Sequence, residues 1–247
     1  VVPNGPLPGL VAAYGFDEGS GTTSADQSGN GNGATLANTT WSSSGKFGKA
    51  LSFNGTNAWA TVNSSNSLAL TTGMTVEAWV NPTTLGNAYR TVVFREQTGN
   101  EVYSLYGNRS GSPQAPVGEV YVNGYKDASA STGLATGTWT HLAETYDGAS
   151  VRLYVNGSLI STTAAPGSLA SSNSPLRIGG NGIWGEYFSG LIDEVRVYNR
   201  ALSAAEIQQD MNTAISNPDA VPPSAPGTLT ATGGLGQISL SWGAATD

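Results

Sequence analysis

A short helix directly after an alternating strand is the clearest feature of this sequence. Residues 181–211 read NGIWGEYFSGLIDEVRVYNRALSAAEIQQDM, which is a glycine-flanked loop, a strand and then a helix start. Ser203 stands at the N-cap with Glu206 three residues later, the spacing of a capping box, and Leu202 and Ile207 bracket them as a hydrophobic staple. The sequence therefore predicts one capped helix after a strand. The residues that period-two alternation places on one face of that strand are Leu191, Asp193, Val195 and Val197.

The chain before this helix predicts many short strands. The 33 glycines, with abundant Ser, Thr and Asn, are typical of strands joined by tight turns. Asp147-Gly148 and Asn156-Gly157 separate alternating segments and favour type I′ hairpin turns. We therefore expect a three-stranded meander over residues 138–163 and an all-β, antiparallel β-sandwich as the fold class.

Composition excludes several classes of partner. The chain of 247 residues carries a formal net charge of −7 with only 11% charged residues, so nucleic acid and anionic membranes are poor partners. It contains no cysteine, which excludes disulfides and thiol chemistry. No apolar run is long enough for a membrane span, and the N-terminus lacks the basic segment of a signal peptide. We expect a monomeric, extracellular module taken from a larger protein.

The C-terminal region predicts a change of domain. Residues 216–226 are rich in proline, which is typical of a semi-rigid linker. Residues 227–247 then predict two strands about a short turn. The expected organisation is an N-terminal tail (1–9), a β domain (10–215), the linker (216–226) and a partial second module (227–247). An edge hairpin docked on the main domain is the alternative for the last segment.

Several motifs, taken in order, resemble one family. They are YGFDEGSGTTSADQSGNGNGA, GKALSFNGTNAWATV, MTVEAWV, WTHLAETYDGASVRLYVNG and GLIDEVRVYNRALSAAEI. Together they resemble the laminin-G-like jelly-roll domains of the concanavalin A-like superfamily, over residues 8–214. The final segment PPSAPGTLTAT…ISLSW resembles the start of a fibronectin type III domain, with Trp242 at that family's core tryptophan. The resemblance implies a jelly roll with one C-terminal helix, followed by a truncated fibronectin module.

A structural calcium ion is the one cofactor the sequence suggests. Asp17 and Asp26 bracket a Gly-, Ser- and Asn-rich loop, and calcium prefers carboxylate, amide and carbonyl oxygens. The resemblance implies that the strand with Asp193 lies against this loop, and Asn30 offers an amide oxygen. A carboxylate on an apolar strand face needs a partner, and a cation would supply it. The alternative is that Asp17 and Asp26 only cap turns.

Catalysis has weak support in the sequence. His141 is the only histidine and lies within a strand pattern that favours packing. Concanavalin-like hydrolases carry E-x-D-x-E on one strand, and that motif does not occur here. Five glutamates are scattered over different strands, and two of them could meet on one sheet face, although the sequence does not say that they do. They are Glu77, Glu96, Glu101, Glu119 and Glu144.

Carbohydrate binding has more support from the residue types of this sequence than catalysis has. Binding modules stack aromatic rings on sugars and surround them with polar groups. Two segments, residues 89–125 and 184–187, are rich in Tyr, Trp, Arg and Glu. The predicted ligand-binding residues are Tyr89, Arg95, Glu96, Tyr103, Arg109, Tyr125, Trp184 and Tyr187.

The sequence thus predicts a noncatalytic carbohydrate-binding module that holds a larger secreted or surface protein on a polysaccharide or other glycan. The alternatives are a protein-binding adhesion module, a structural spacer and, with least support, a glycan-active hydrolase or lyase. A flat apolar rim would favour protein binding, and a close carboxylate pair in a groove would favour an enzyme.

Overall fold

Two large antiparallel sheets make up the main part of the protein. The computed structural model describes residues 7–215 and 227–243. It divides into two compact units, Val1–Ile215 and Ser216–Asp247. The strands are β1 (Leu10–Tyr14), β2 (Thr23–Ser24), β3 (Ala34–Ala37), β4 (Thr40–Ser42), β5 (Ala50–Asn54), β6 (Trp59–Val62), β7 (Met74–Pro82), β8 (Arg90–Gln97), β9 (Asn100–Asn108), β10 (Val117–Tyr121), β11 (Tyr125–Ser129), β12 (Thr140–Tyr146), β13 (Ser150–Val155), β14 (Ser158–Ala164), β15 (Leu176–Ile178), β16 (Ser189–Tyr198), β17 (Thr230–Gly234) and β18 (Gln237–Ser241).

The two sheets of the first unit enclose one apolar core. Sheet A has the order β14-β13-β12-β7-β16-β5-β4, with β1 also paired to β16. Sheet B has the order β11-β10-β9-β8-β15-β6-β3-β2. Val76 and Val80 from sheet A and Val93 and Leu105 from sheet B belong to the same buried cluster. The predicted all-β sandwich is confirmed, and two sheets packed face to face leave an outer face on each.

The predicted helix forms on sheet A. Helix α1 (Ala204–Met211) has Ser203 as N-cap, and the Ser203 side chain accepts a hydrogen bond from Glu206 N while the Glu206 side chain accepts one from Ser203 N. Leu202 and Ile207 lie in one buried cluster with Tyr154 and Tyr198. The capping box is therefore confirmed, and the helix covers part of the outer face of sheet A.

The strand before the helix differs from the predicted alternation. Asp193 is opposite Trp79 and Arg196 is opposite Glu77, so two residues of β16 lie opposite one residue of β7. Glu194, at φ +55°, lies at this β-bulge. The bulge moves Val195 onto the core face, whereas Asp193 lies on the outer face. The prediction that Leu191, Asp193, Val195 and Val197 share one face was wrong, because alternation fails across a bulge.

The predicted meander forms from β12, β13 and β14. At Asn156-Gly157 both residues have positive φ, as a type I′ turn requires. The Asp147-Gly148 turn is different, because only Gly148 has positive φ. There Asp147 Oδ1 accepts hydrogen bonds from Ala149 N and Ser150 N, and the side chain closes the turn instead.

The second unit contains a hairpin of β17 and β18. The described residues of this unit (227–243), Trp242 included, are exposed. The proline-rich linker (216–226) and residues 1–6 of the predicted N-terminal tail lie outside the described residues. The fibronectin assignment stays a prediction, since such a domain needs about seven strands. In the described parts of the chain, no helix has the length and apolar character needed to cross a membrane.

Candidate functional site

A groove of about 320 Å³ lies on the outer face of sheet B. Its walls come from strands β9, β10 and β11 and from the loops that precede β8 and β16. It is lined by Tyr89, Tyr106, Glu119, Tyr125, Trp184 and Glu186.

The alternation of side chains along β8, β9 and β10 determines which residues form the floor of the groove. Phe94 on β8 is opposite Ser104 on β9, and Ser104 is opposite Glu119 on β10. Because aligned residues of neighbouring strands share a face, this row points away from the core. The neighbouring side chains Val93 and Leu105 point inward. A short aromatic cluster of Phe94 and Tyr106 forms the floor.

The aromatic rings of the groove support one another through edge contacts. The ring centroids of Tyr89 and Tyr106 are 4.9 Å apart, and those of Phe94 and Trp184 are 5.4 Å apart at 86°. Trp184 still exposes 44% of its surface and Tyr125 exposes 50%. Tyr125 also donates a hydrogen bond from its hydroxyl to Asn100 Oδ1 at 2.5 Å. The groove therefore offers two large exposed rings that are already held in place.

The loop that carries Trp184 is held by hydrogen bonds. Trp184 N donates to Asn181 Oδ1 at 2.8 Å, and Asn181 Nδ2 donates to Glu186 Oε2 at 2.9 Å. Gly182 N donates to Glu96 Oε1 at 2.7 Å, and the same oxygen accepts from Arg177 Nε. This network fixes the position of Trp184 relative to sheet B, which reduces the entropy lost on binding a ligand.

The carboxyl groups of the groove have raised pKa values. Burial, and then the charge of Asp127, raise the pKa of Glu119 to about 7. Burial also raises the pKa of Glu186, although hydrogen bonds from Asn181 and Tyr106 work against this shift. Glu119 is therefore able to donate as well as accept hydrogen bonds near neutral pH, which suits recognition of hydroxyl groups.

The structure places six of the eight predicted binding residues in or beside the groove, and the other two on the core side of sheet B. Tyr89, Tyr125 and Trp184 line the groove. Three others lie beside it in supporting roles: Glu96 holds the Trp184 loop, Arg109 forms an ion pair with Asp127 at 3.2 Å, and Tyr187 packs on Trp59.

Arg95 and Tyr103 lie on the opposite side of sheet B from the groove. Both are buried, and Arg95 donates to Ser172 O at 2.7 Å in the interior. The structure does not bring them to the groove, because they are aligned with each other on the core side of β8 and β9. Three lining residues were absent from the predicted set, namely Tyr106, Glu119 and Glu186. Their common face becomes visible only once the pairing of β8, β9 and β10 is known.

The predicted calcium ligands use most of their oxygens for backbone N–H groups. Asp193 accepts from Lys46 N, Phe47 N and Glu194 N, and Asp17 accepts from Lys49 N. Both carboxylates thus hold the same 46–49 turn, so the expected proximity of β16 to the Asp17 loop is present. The three backbone N–H groups satisfy the hydrogen-bonding capacity of the Asp193 carboxylate, so this buried group does not require a cation.

The other two predicted ligands hold the N-terminal strand. Asp26 accepts from Ala13 N, Ser28 N and Asn32 N, and Asn30 Nδ2 donates to Leu10 O. Within residues 7–215 and 227–243, no three acidic, histidine or cysteine side chains are grouped to hold a metal ion. The three aspartates are thus engaged by backbone N–H groups, and the calcium ion stays a prediction.

His141 lies on the other sheet, away from the groove. It is fully buried and its ring meets Trp79 edge-on at 5.4 Å. Burial, followed by the charges of Arg196 and Lys46, lowers the pKa of His141 to about 3, so the imidazole is neutral. This arrangement agrees with a packing role for the histidine.

A laminin-G family model, described as the concanavalin A-like lectin/glucanases superfamily, matches residues 54–208. The chain belongs to the concanavalin A-like lectin/glucanase superfamily. No curated protein sequence is detectably similar to this superfamily member.

Solved structures share the fold at low sequence identity. Domain 4 of AbnA, an extracellular GH43 arabinanase from Geobacillus stearothermophilus in complex with arabinotriose, is 24% identical with a TM-score of 0.69, over 82% of this chain and 98% of that chain. The ligand-binding domain of botulinum neurotoxin serotype D with N-acetylneuraminic acid is 16% identical with a TM-score of 0.64, over 82% and 50%. Trypanosoma rangeli sialidase with sialic acid is 19% identical with a TM-score of 0.62, over 83% and 33%. At these identities the likeness concerns the fold.

Proposed function

We propose that this domain is a noncatalytic glycan-binding module that uses the groove on sheet B. The observation that carries the proposal is the pair of exposed rings, Trp184 and Tyr125, beside the carboxyl groups of Glu119 and Glu186. Aromatic faces bind the apolar faces of pyranose or furanose rings, while carboxyl groups hydrogen-bond to hydroxyls. The arabinanase domain and the neurotoxin domain, which share the fold, were solved with sugars bound.

The groove favours a glycan over a protein partner. A protein interface normally needs about 800 Å² on each side with an apolar centre. The groove is concave and mixes rings with carboxyl groups. A protein-binding adhesion module stays the alternative, and it would use a surface other than the groove.

We further propose that this module belongs to a larger extracellular protein. In that protein it would be a monomer linked through residues 216–226 to a fibronectin-like neighbour. Modest affinity per site would then be raised by linked modules on the same polysaccharide. The structural neighbour from the extracellular arabinanase supports this location.

The experiment is a binding screen of the full chain on a glycan array that includes arabinan, xylan, β-glucan, chitin and chitosan fragments. We expect at least one glycan to bind, and Trp184→Ala to weaken that binding about tenfold or more, because loss of the stacked ring removes about 1.4 kcal/mol or more of apolar contact. Leu159→Ala is the matched control, since Leu159 is equally exposed but lies on sheet A. Equal binding by both variants would refute the groove as the site.

A hydrolase is the second candidate, because Glu119 and Glu186 line one groove. A glutamic acid with a pKa near 7 is suited to general acid catalysis. Release of reducing ends from any array-positive glycan, lost in Glu119→Gln, would support an enzyme. We expect no release, since Glu186 is held by Tyr106 and Asn181.

The calcium ion is proposed only as a structural cofactor. Thermal unfolding in EDTA and then in excess calcium tests it, because a ligand that binds only the folded state raises the midpoint. A rise that Asp193→Ala abolishes would support the site. An unchanged midpoint would show that backbone N–H groups suffice.

A further inference from the structure

The groove carries more negative charge than positive charge. Glu119 and Glu186 line it, and the charge of Glu101 raises the pKa values of Tyr106 and Tyr125. Arg109 offsets part of this charge, but its guanidinium is already paired with Asp127 at 3.2 Å. Among the described residues that line the groove, none carries a positive charge to match these carboxyl groups.

Glu101, which is buried behind the groove, also lacks a positively charged partner among the described residues that act on it. It is fully buried, and the hydroxyl of Ser104 only partly offsets the effect of that burial on its carboxyl group. Burial, and then the charge of Glu119, raise its pKa well above the usual range. A buried carboxyl group without a cationic partner behind the groove would be stabilised in its charged form by any cation that the groove admits.

The aromatic walls also suit a cation. Tyr89, Tyr106, Tyr125 and Trp184 surround the carboxyl groups. Ring faces attract ammonium groups, and the attraction grows when water is excluded. A carboxylated sugar would instead bring a second negative charge beside Glu119 and Glu186, at a cost that rises as the local dielectric constant falls.

We propose that the groove selects glycans with free amino groups, such as oligomers of glucosamine, over N-acetylated and carboxylated sugars. This inference rests on the glycan-binding function proposed above. The ammonium group lies between the carboxyl groups of Glu119 and Glu186, and the sugar ring stacks on Trp184 or Tyr125.

The test compares four probes on the full chain by titration calorimetry at slightly acidic pH: the tetramer of glucosamine, the tetramer of N-acetylglucosamine, arabinotriose and sialyllactose. We expect the glucosamine tetramer to bind at least about tenfold more tightly than its N-acetylated counterpart, with the ratio falling as salt is added. Sialyllactose should bind most weakly of the four.

A proton count separates charge recognition from simple stacking. An ammonium group beside Glu119 and Glu186 should lower their pKa values, so binding of the glucosamine tetramer should release protons and its heat should depend on the buffer. The other charged groups that act on Glu119 are Asp127 and Arg109. Glu119→Gln should reduce both the preference and the proton release.

The matched control is Asp147→Asn, which removes one acidic group from a turn of sheet A. It should keep the full preference. Equal affinity for the two tetramers, or tighter sialyllactose binding, would overturn this inference while leaving glycan binding intact. Failure of all four probes and of the whole array would overturn the proposed function itself.

Discussion

Asp193 lies on the outer face of sheet A, beside Trp79, because the bulge at Glu194 shifts β16 by one residue. Its carboxylate accepts three backbone N–H groups, two of them from the turn that begins at Lys46. Burial raises its pKa to about 8, and those N–H groups partly offset the rise. A single side chain thus fixes a loop to a strand that is distant in sequence.

We expect Asp193→Ala to lower the free energy of unfolding by about 2–3 kcal/mol, because it leaves buried donors without an acceptor. Asp193→Asn keeps one acceptor oxygen and removes the buried charge, so it should cost less. Urea unfolding measures both, with Asp17→Ala as a control that removes the contact with Lys49 N on the same turn. An alanine variant as stable as the unmodified chain would contradict this role.

At the scale of elements, the sequence predicts helix caps and turns correctly, but it does not predict how the strands pair. The capping box at Ser203 and the turn at Asn156-Gly157 depend on a few adjacent residues, so the sequence contains all the information. The bulge in β16 depends on the partner strand β7. The groove depends on the register of β8, β9 and β10, which explains why Trp184 was predicted and Glu119 was not. The same register places Arg95 on the core side of sheet B.

Helix α1 provides a test at this scale. Ser203→Ala should lower the free energy of unfolding by about 1 kcal/mol, because it removes the side-chain acceptor for Glu206 N. Glu206→Gln is the control, since glutamine also completes a capping box and should cost less. Urea unfolding of the two variants measures the difference. A larger loss in Glu206→Gln would indicate that the ion pair with Arg200 dominates instead.

For the molecule as a whole, buried acidic groups set the pH dependence of stability. Burial raises the pKa of Glu119 and of Glu194 to about 7 and that of Asp193 to about 8. A carboxyl group with a raised folded-state pKa stabilises the fold fully below its unfolded pKa, and this contribution is lost as pH rises through the folded value. His141, with its pKa lowered to about 3, acts in the opposite direction below its unfolded value.

The stabilisation from protonating the three carboxyl groups is larger than the destabilisation from the one histidine. We therefore expect the free energy of unfolding of the first unit to rise as pH falls from about 8 to about 5. Urea unfolding across that range measures the trend. Glu119→Gln should flatten it by at most about 3 kcal/mol, because one unit of pKa corresponds to about 1.4 kcal/mol and partial exposure screens the charge. Greatest stability at the alkaline end would show that these groups are ionised in the folded state.

The fold class could be predicted from sequence because turn chemistry, alternation and the helix cap all agree with it. The position of the ligand groove could not, since it follows from long-range strand order. The groove is nevertheless the basis of the functional account, and its direct test is to locate the ligand on the protein surface.

The decisive measurement is an amide-resolved NMR titration of the isotope-labelled full chain with the tightest-binding probe among those named above. We predict shift changes concentrated in Phe94, Tyr106, Glu119 and the loop of Trp184, all around one groove. Changes confined to sheet A or to loops remote from Trp184 would contradict the account.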